Sequence, residues 1–233
     1  MEPSTQAARR PRGRPQVRPD EETRHLIAQA AQRMFAAKGF ARASMDDVAR
    51  EAGISKKTLY RLVPTKADLF KATIRDRIAR FMLAIDIEAL WTVPVAEALE
   101  RIMTEYGMLT LSPESVAIQK LVIAESEQFP DLSAAFFAEA VMATQQVLGD
   151  FLARQCRRGA LDLDDPLLAA GMLRGMMIMD PQRAAMMGQC ALPSEAEISR
   201  RARACVSLFL KGVGGKDPAT EPNALRRGAR PAS

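Results

Sequence analysis

The sequence predicts an all-α fold, with an N-terminal three-helix helix-turn-helix domain followed by a larger helical domain. Three observations carry this. Residues 44–66, SMDDVAREAGISKKTLYRLVPTK, hold two short helical patterns separated by Gly53. Apolar residues on both sides of that stretch recur at helical spacing rather than alternating. From Trp91 onward the chain is punctuated by Pro94, Pro113, Pro130, Pro166, Pro181 and Pro193, positions that suit helix starts.

Taken in order, residues 1–19 are rich in Arg, Pro and small polar residues and carry too little apolar surface for a core, so a disordered basic arm is expected. Arg12-Gly13-Arg14-Pro15, flanked by Arg9, Arg10 and Arg18, resembles the core of an AT-hook. Such an extended segment lies in a narrow A·T minor groove, where the negative potential attracts Arg. The alternative is a basic tail that adds only non-specific phosphate attraction. Residues 21–38 read as the first helix, capped by Asp20 and stopped by Gly39, with Leu26, Ile27, Ala30, Ala31, Met34 and Phe35 inward. His25, the single histidine of the chain, reads as a surface or cap residue.

Ser44 is a good N-cap, and Asp46 and Asp47 follow in the first turn, where the helix dipole favours negative charge. Val48, Ala49 and Ala52 make the apolar side of that helix. Gly53 stops it, because glycine takes positive φ without penalty. Ser55 caps the next helix, which turns Leu59 and Leu62 inward and leaves Lys56, Lys57, Thr58, Tyr60 and Arg61 outside. Two such helices around a tight turn describe a helix-turn-helix. In that motif the start of the second helix meets base edges while flanking donors hold phosphates. Lys56, Lys57 and Thr58 are therefore the candidates for bases, and Ser44 and Tyr60 for phosphates.

The pattern IAQAAQRMFAAKGFARAS, the core DDVAREAGISKKTLY and the closing PTKADLF resemble, in order and spacing, the DNA-binding domain of the TetR family of bacterial transcriptional regulators. The resemblance runs from about Thr23 to Phe70. It implies that Lys66, in the first turn of the next helix, joins Tyr60 in contacting phosphate. Without that, a cation there opposes the dipole. One departure is Val63, where the family carries an aromatic, and looser packing of the recognition helix on the next helix is expected. Residues 119–137, QKLVIAESEQFPDLSAAFF, resemble the C-terminal domain of the family's AefR-like branch.

Thr65 opens the next helix in a capping-box arrangement with Asp68, and the helix runs as a connecting rod to about Leu90. Further helices are expected near 95–110, 114–126, 131–158, 165–179 and 194–211, with a loop from Pro181 to Pro193. The domain boundaries follow: arm 1–19, helix-turn-helix domain 20–66, regulatory and dimerisation domain 67–212, disordered tail 213–233. The family resemblance implies a pocket for a small apolar effector between the helices. Candidates for its lining are Met82, Met103, Met108, Phe129, Phe136, Phe137, Met142 and Met172, with Glu125 or Gln128 as polar contacts. Buried Met and Phe residues also simply fill cores. The resemblance further implies a homodimer through Leu168, Met172, Gly175, Met176 and Met179 on one helix and Ile198, Ala202, Cys205, Val206 and Phe209 on the next; the alternative is that these faces close a monomeric core.

Charge and cysteine usage bound the function. Residues 1–66 hold 14 basic and 7 acidic side chains, whereas residues 67–210 hold 14 and 19. The excess positive charge sits with the helix-turn-helix, as a polyanion-binding end requires. No apolar run is long enough to span a bilayer, which predicts a cytoplasmic protein. Cys156, Cys190 and Cys205 lack CxxC spacing, and no phosphate-cradling Gly loop or metal-ligand cluster stands out. Neither an enzyme nor a cofactor or metal is expected. The expected function is a dimeric transcriptional regulator, a repressor of a near-palindromic double-stranded DNA operator released by a small ligand. Two alternatives stay open: an architectural A·T-rich DNA binder driven by the Arg arm, and a ligand-binding module with secondary DNA binding.

Overall fold

The computed structural model describes residues 19–213 and, among them, only helices and their connections. Helix α1 (Asp20–Arg42) is broken at Gly39, whose φ of 77° turns the chain before a last short turn. Helices α2 (Met45–Glu51) and α3 (Lys56–Leu62) complete the helix-turn-helix, with the Ser44 and Ser55 hydroxyls accepting the N–H groups of Asp47 and Thr58. Both caps are as the sequence predicts. Asp20 is not the cap of α1: Pro19 precedes the helix, and the Asp20 carboxylate instead holds the Arg61 guanidinium with two contacts of 2.7 Å.

Helix α4 (Lys66–Ile85) starts at the Thr65 cap and ends at Asp86 in the left-handed region, five residues short of the expected end. A 3₁₀ turn (Ala89–Thr92) then leads to α5 (Val95–Thr110) and α6 (Pro113–Glu125). The single helix expected over 131–158 is instead α7 (Pro130–Phe136), a π-helical turn (Phe137–Met142) and α8 (Ala143–Arg157). Helices α9 (Pro166–Met186) and α10 (Glu195–Val213) close the described chain.

Two apolar cores organise these helices. One joins Ile27, Phe35, Phe40, Val48, Leu59, Leu69 and Phe70 with Ile118 and Val122 of α6 and Leu132 of α7. Phe40 sits at its centre, with ring centroids of Phe35, Phe70 and Phe129 at 5.5, 6.0 and 5.2 Å. Aromatic pairs at such separations add to plain area burial. The helix-turn-helix thus shares its core with α6 and α7. Val63 is fully buried in the same core, where it closes α3. The second core packs Phe81, Leu99, Met103, Leu148, Phe151, Leu173 and Val206 from the end of α4 and from α5, α8, α9 and α10. Gly107 lets α5 approach α9 and α10 closely, since a Cβ there would lie 2.5 Å from Met177 Cε.

The expected loop after Pro181 is absent, because α9 continues through that proline to Met186. Proline at residue 181 removes the N–H that would bond the Met177 carbonyl and crowds that carbonyl. Arg201 of α10 supplies the missing donors: its Nε meets the Met177 carbonyl at 2.7 Å and Nη2 the Met176 carbonyl at 2.7 Å. The helix survives its proline through a donor from its neighbour.

Candidate nucleic-acid interface and effector cavity

The recognition helix is short, so its stability comes from capping and tertiary packing rather than from propensity. Leu59 and Leu62 anchor it. Arg24 of α1 donates to the Leu62 carbonyl at 2.8 Å and so satisfies its C-terminal end. Of the residues expected at bases, Lys57 is exposed and has no hydrogen-bond or ion-pair partner among the described residues. Lys56 pairs with Asp46 of α2 at 2.5 Å, and Thr58 shares a 2.8 Å hydroxyl contact with Ser55. The Lys56 pair is exposed on both sides, so a competing phosphate or base can displace it at small cost. Tyr60 is 48% exposed on the same outer side. The Ser44 hydroxyl is engaged as the α2 cap. Arg12 and Arg14 lie outside the described residues.

Lys66 is more constrained than its neighbours. Its Nζ donates to the Ala41 carbonyl at 2.9 Å and lies 4.7 Å from the centroid of the Phe40 ring. Burial pulls its ammonium below the usual lysine range, opposed by the charge of Glu125. An ammonium has three donors, so one is committed to the break in α1 and two remain.

That break is also where α6 grips the helix-turn-helix. The turn at Gly39 frees the N–H groups of Phe40 and Ala41, and both Glu125 carboxylate oxygens accept them, at 3.0 and 2.9 Å. A Cβ at residue 39 would lie 2.9 Å from Glu125 Oε1, so glycine is needed there twice, for its positive φ and for this approach. Glu125 therefore does not contact the cavity; it ends α6 in a clasp on α1. His25, expected at the surface, also joins helices: its Nδ1 lies 2.6 Å from Asp76 Oδ1 of α4, while Gln29 Nε2 lies 2.8 Å from its Nε2.

A cavity of about 270 Å³ lies between α4, α5, α6, the π turn and α9. Ile74, Ile78, Ile118, Phe136, Val141 and Ile178 form its apolar wall; Tyr106, Gln119, Arg174 and Gln182 are among its polar groups. Of the residues expected to line it, only Phe136 does so. Met103 is buried in the second core, where Met82 and Met108 also pack; Phe129 packs on Phe40. Phe137 and Met172 are exposed to 57% and 61%, and Met142 is half-buried off the cavity. The misplacement has one cause. Unpartnered faces and core faces carry the same Met and Phe pattern. Tyr106, Arg174 and Gln182 come from α5 and α9, whose convergence no local signal reports.

A wider groove of about 1020 Å³ runs between α1 and α4, lined by charged residues that include Arg75, Asp76 and Arg80. Its charged lining is unlike the apolar one expected for a small ligand. Among the described residues no helix is long and apolar enough to cross a membrane, and no group of acidic, His and Cys residues could hold a metal ion.

A helix-turn-helix held at one end of a helical body, with a cavity deeper in that body, is the architecture of a DNA-binding transcriptional regulator. Residues 27–73 match the bacterial regulatory proteins of the tetR family, and residues 97–212 match the AefR-like transcriptional repressor C-terminal domain. The chain belongs to the TetR family of transcriptional regulators. It is 41% identical over 73 residues to the HTH-type transcriptional regulator EthR of Mycolicibacterium smegmatis, a segment spanning 31% of this chain and 34% of EthR. The fold is similar to a crystal structure assigned to the TetR family from Mesorhizobium loti, with a TM-score of 0.69, 26% identity, and coverage of 84% of this chain and 98% of that one. It is also similar to the flavonoid-responsive regulator FrrA, with a TM-score of 0.64, 28% identity, and coverage of 82% and 97%.

Proposed function

We propose that the protein is a homodimeric repressor that binds a near-palindromic operator through α2 and α3 and leaves it when a small ligand enters the cavity. One observation carries the reading: α6 lines the cavity with Ser115, Ile118 and Gln119 at one end and clasps α1 with Glu125 at the other. A second tie reinforces it, since Arg77 Nη2 of α4 reaches the Ser112 and Ser115 hydroxyls at 2.9 and 2.5 Å. A ligand that favours one placement of α6 thereby favours one placement of the helix-turn-helix, and it acts only through its different affinity for the two states. The name of FrrA, a flavonoid-responsive regulator, supports a small-molecule effector.

In this reading Lys57, with Lys56 and Thr58, meets bases, while Ser44, Tyr60 and the free donors of Lys66 meet phosphates. The dimer face is the exposed stripe Leu168, Met172, Met176 and Met179 of α9, continued by Leu208 of α10. Exposed apolar stripes of this kind mark interaction surfaces. On α10, Ile198, Ala202, Cys205 and Val206 do not form the expected dimer face; they are buried in the protein's own core. The protein acts in the cytoplasm, where its DNA is.

The test is selection of bound sequences from random duplex DNA, with the mass of the protein measured by light scattering. Recovery of an inverted repeat by a dimer supports the reading. Recovery of only A·T-rich DNA shifts the reading to an architectural binder, and a monomer overturns the dimer. Met172→Glu in the exposed stripe is expected to yield monomer without loss of helicity.

A further inference from the structure

We propose that the ligand of the cavity is an anion, a carboxylate or phenolate carried on an apolar body, and that the Arg174 guanidinium is its counter-charge. The inference rests on the cavity being the effector site and names the chemistry of what enters it.

Arg174 projects from α9 into the cavity lining and is 8% exposed. Buried charges in proteins are ordinarily paired and fully hydrogen-bonded, because desolvation is otherwise uncompensated. Arg174 meets neither condition. Its Nη1 donates to Gln145 Oε1 at 3.1 Å, a neutral acceptor held in place by its own 3.1 Å bond from Nε2 to the Leu167 carbonyl. Its Nε is buried with no hydrogen-bond partner among the described residues. Among the described residues no Asp or Glu lines the cavity.

Tyr106 is the one neighbour that could become an anion, with its ring centroid 5.0 Å from the Arg174 guanidinium carbon. Burial pushes the Tyr106 phenol above its usual range, against the pull of Arg174, so the phenol stays neutral at physiological pH. It offers Arg174 a ring face and a neutral hydroxyl rather than a charge. The remaining cations of the lining point the same way. Arg77 is occupied by the α5–α6 junction, and Arg183 is exposed. The cavity is a chiefly apolar chamber with an unbalanced cation inside it. A planar carboxylate complements such a guanidinium in shape and charge.

The experiment is isothermal titration of the purified full-length protein with matched pairs of probes: 2-naphthoate against 2-naphthamide, and decanoate against decanamide. The expected result is a preference for the acid of about tenfold or more in each pair. Arg174→Met is expected to fold, since an apolar chain replaces an unpaired buried cation, and to bring each pair within about twofold. Arg174→Lys keeps a preference for the acid, which separates charge from packing. Ala140→Phe, which fills the chamber, removes binding of both members and locates the site. Equal affinity for acid and amide in the natural protein overturns the anion, while leaving the cavity as an effector site. A preference that survives in Arg174→Met removes Arg174 from the role. Failure of every probe to bind overturns both the cavity reading and this inference.

Discussion

The Glu125 carboxylate accepts the backbone N–H of Phe40 at 3.0 Å, across 85 residues of sequence, and its other oxygen accepts that of Ala41. These are charge-assisted bonds to two amides that the break at Gly39 has taken out of the helix. Each is of the kind that contributes about 1.5–3 kcal/mol when intact. Glu125→Ala should therefore lower the unfolding free energy by a few kcal/mol at most, as measured by calorimetry. It should also reduce the effect of a cavity ligand on DNA affinity, followed by fluorescence anisotropy on the selected DNA. An unchanged ligand effect would show that α6 does not carry the coupling.

Lys57 and Lys66 separate two kinds of DNA contact. Lys57 has no partner among the described residues, so Lys57→Ala should leave thermal stability unchanged while costing about 1–3 kcal/mol at one base position. Lys66→Ala should weaken all sequences alike and reduce the salt slope by about one. It should also lower thermal stability, because the Ala41 carbonyl and the Phe40 ring lose their cation. Identical losses across all sequences for both variants would refute the division.

Pro181 and Arg201 form a compensating pair. Arg201→Ala leaves the Met177 and Met176 carbonyls without their donors, which should cost about 1–3 kcal/mol. Pro181→Ala restores an N–H for Met177, so it should be much less harmful in the Arg201→Ala background than additivity predicts. A double-mutant cycle measures this directly. Strict additivity would show that the two residues are independent.

Acid should loosen the helix-turn-helix end. The Asp20 carboxyl is held below its usual range by its hydrogen bond to Arg61, Asp47 by those to Lys38 and Ser44, and Glu139 by that to Arg75. A carboxyl with a depressed folded value stabilises above its unfolded value and loses that contribution as pH falls through the folded one. The unfolded values are near 3.8 for Asp and 4.5 for Glu. Thermal stability should thus be flat with respect to these groups above about pH 5 and fall below about pH 4. Asp20→Asn should make that fall shallower. A stability independent of pH between 5 and 3 would contradict it.

The recognition end was legible in local sequence because its determinants are local. Ser44, Gly53, Ser55 and Thr65 act within four residues of themselves, through caps and a turn, and the structure keeps all four roles. Legibility failed where a residue's role depends on distant chain. Pro181 looked like a boundary because proline lacks a donor, and only Arg201 on another helix makes it tolerable. Glu125 looked like a pocket carboxylate because it lies in an apolar helix beside Phe129. The free amides that claim it belong to a turn 85 residues earlier.

The sequence by itself determined that this is a helical chain with a capped helix-turn-helix and excess positive charge at the same end. Those properties follow from spacing, capping chemistry and composition, which act over a few residues or over none. Tertiary structure alone decided which side chains face the cavity, which apolar stripe is left uncovered, and which cation stands in the chamber without a counter-charge. Each of these depends on where helices far apart in the chain converge, and a helix records its own apolar face without recording what will be packed against it.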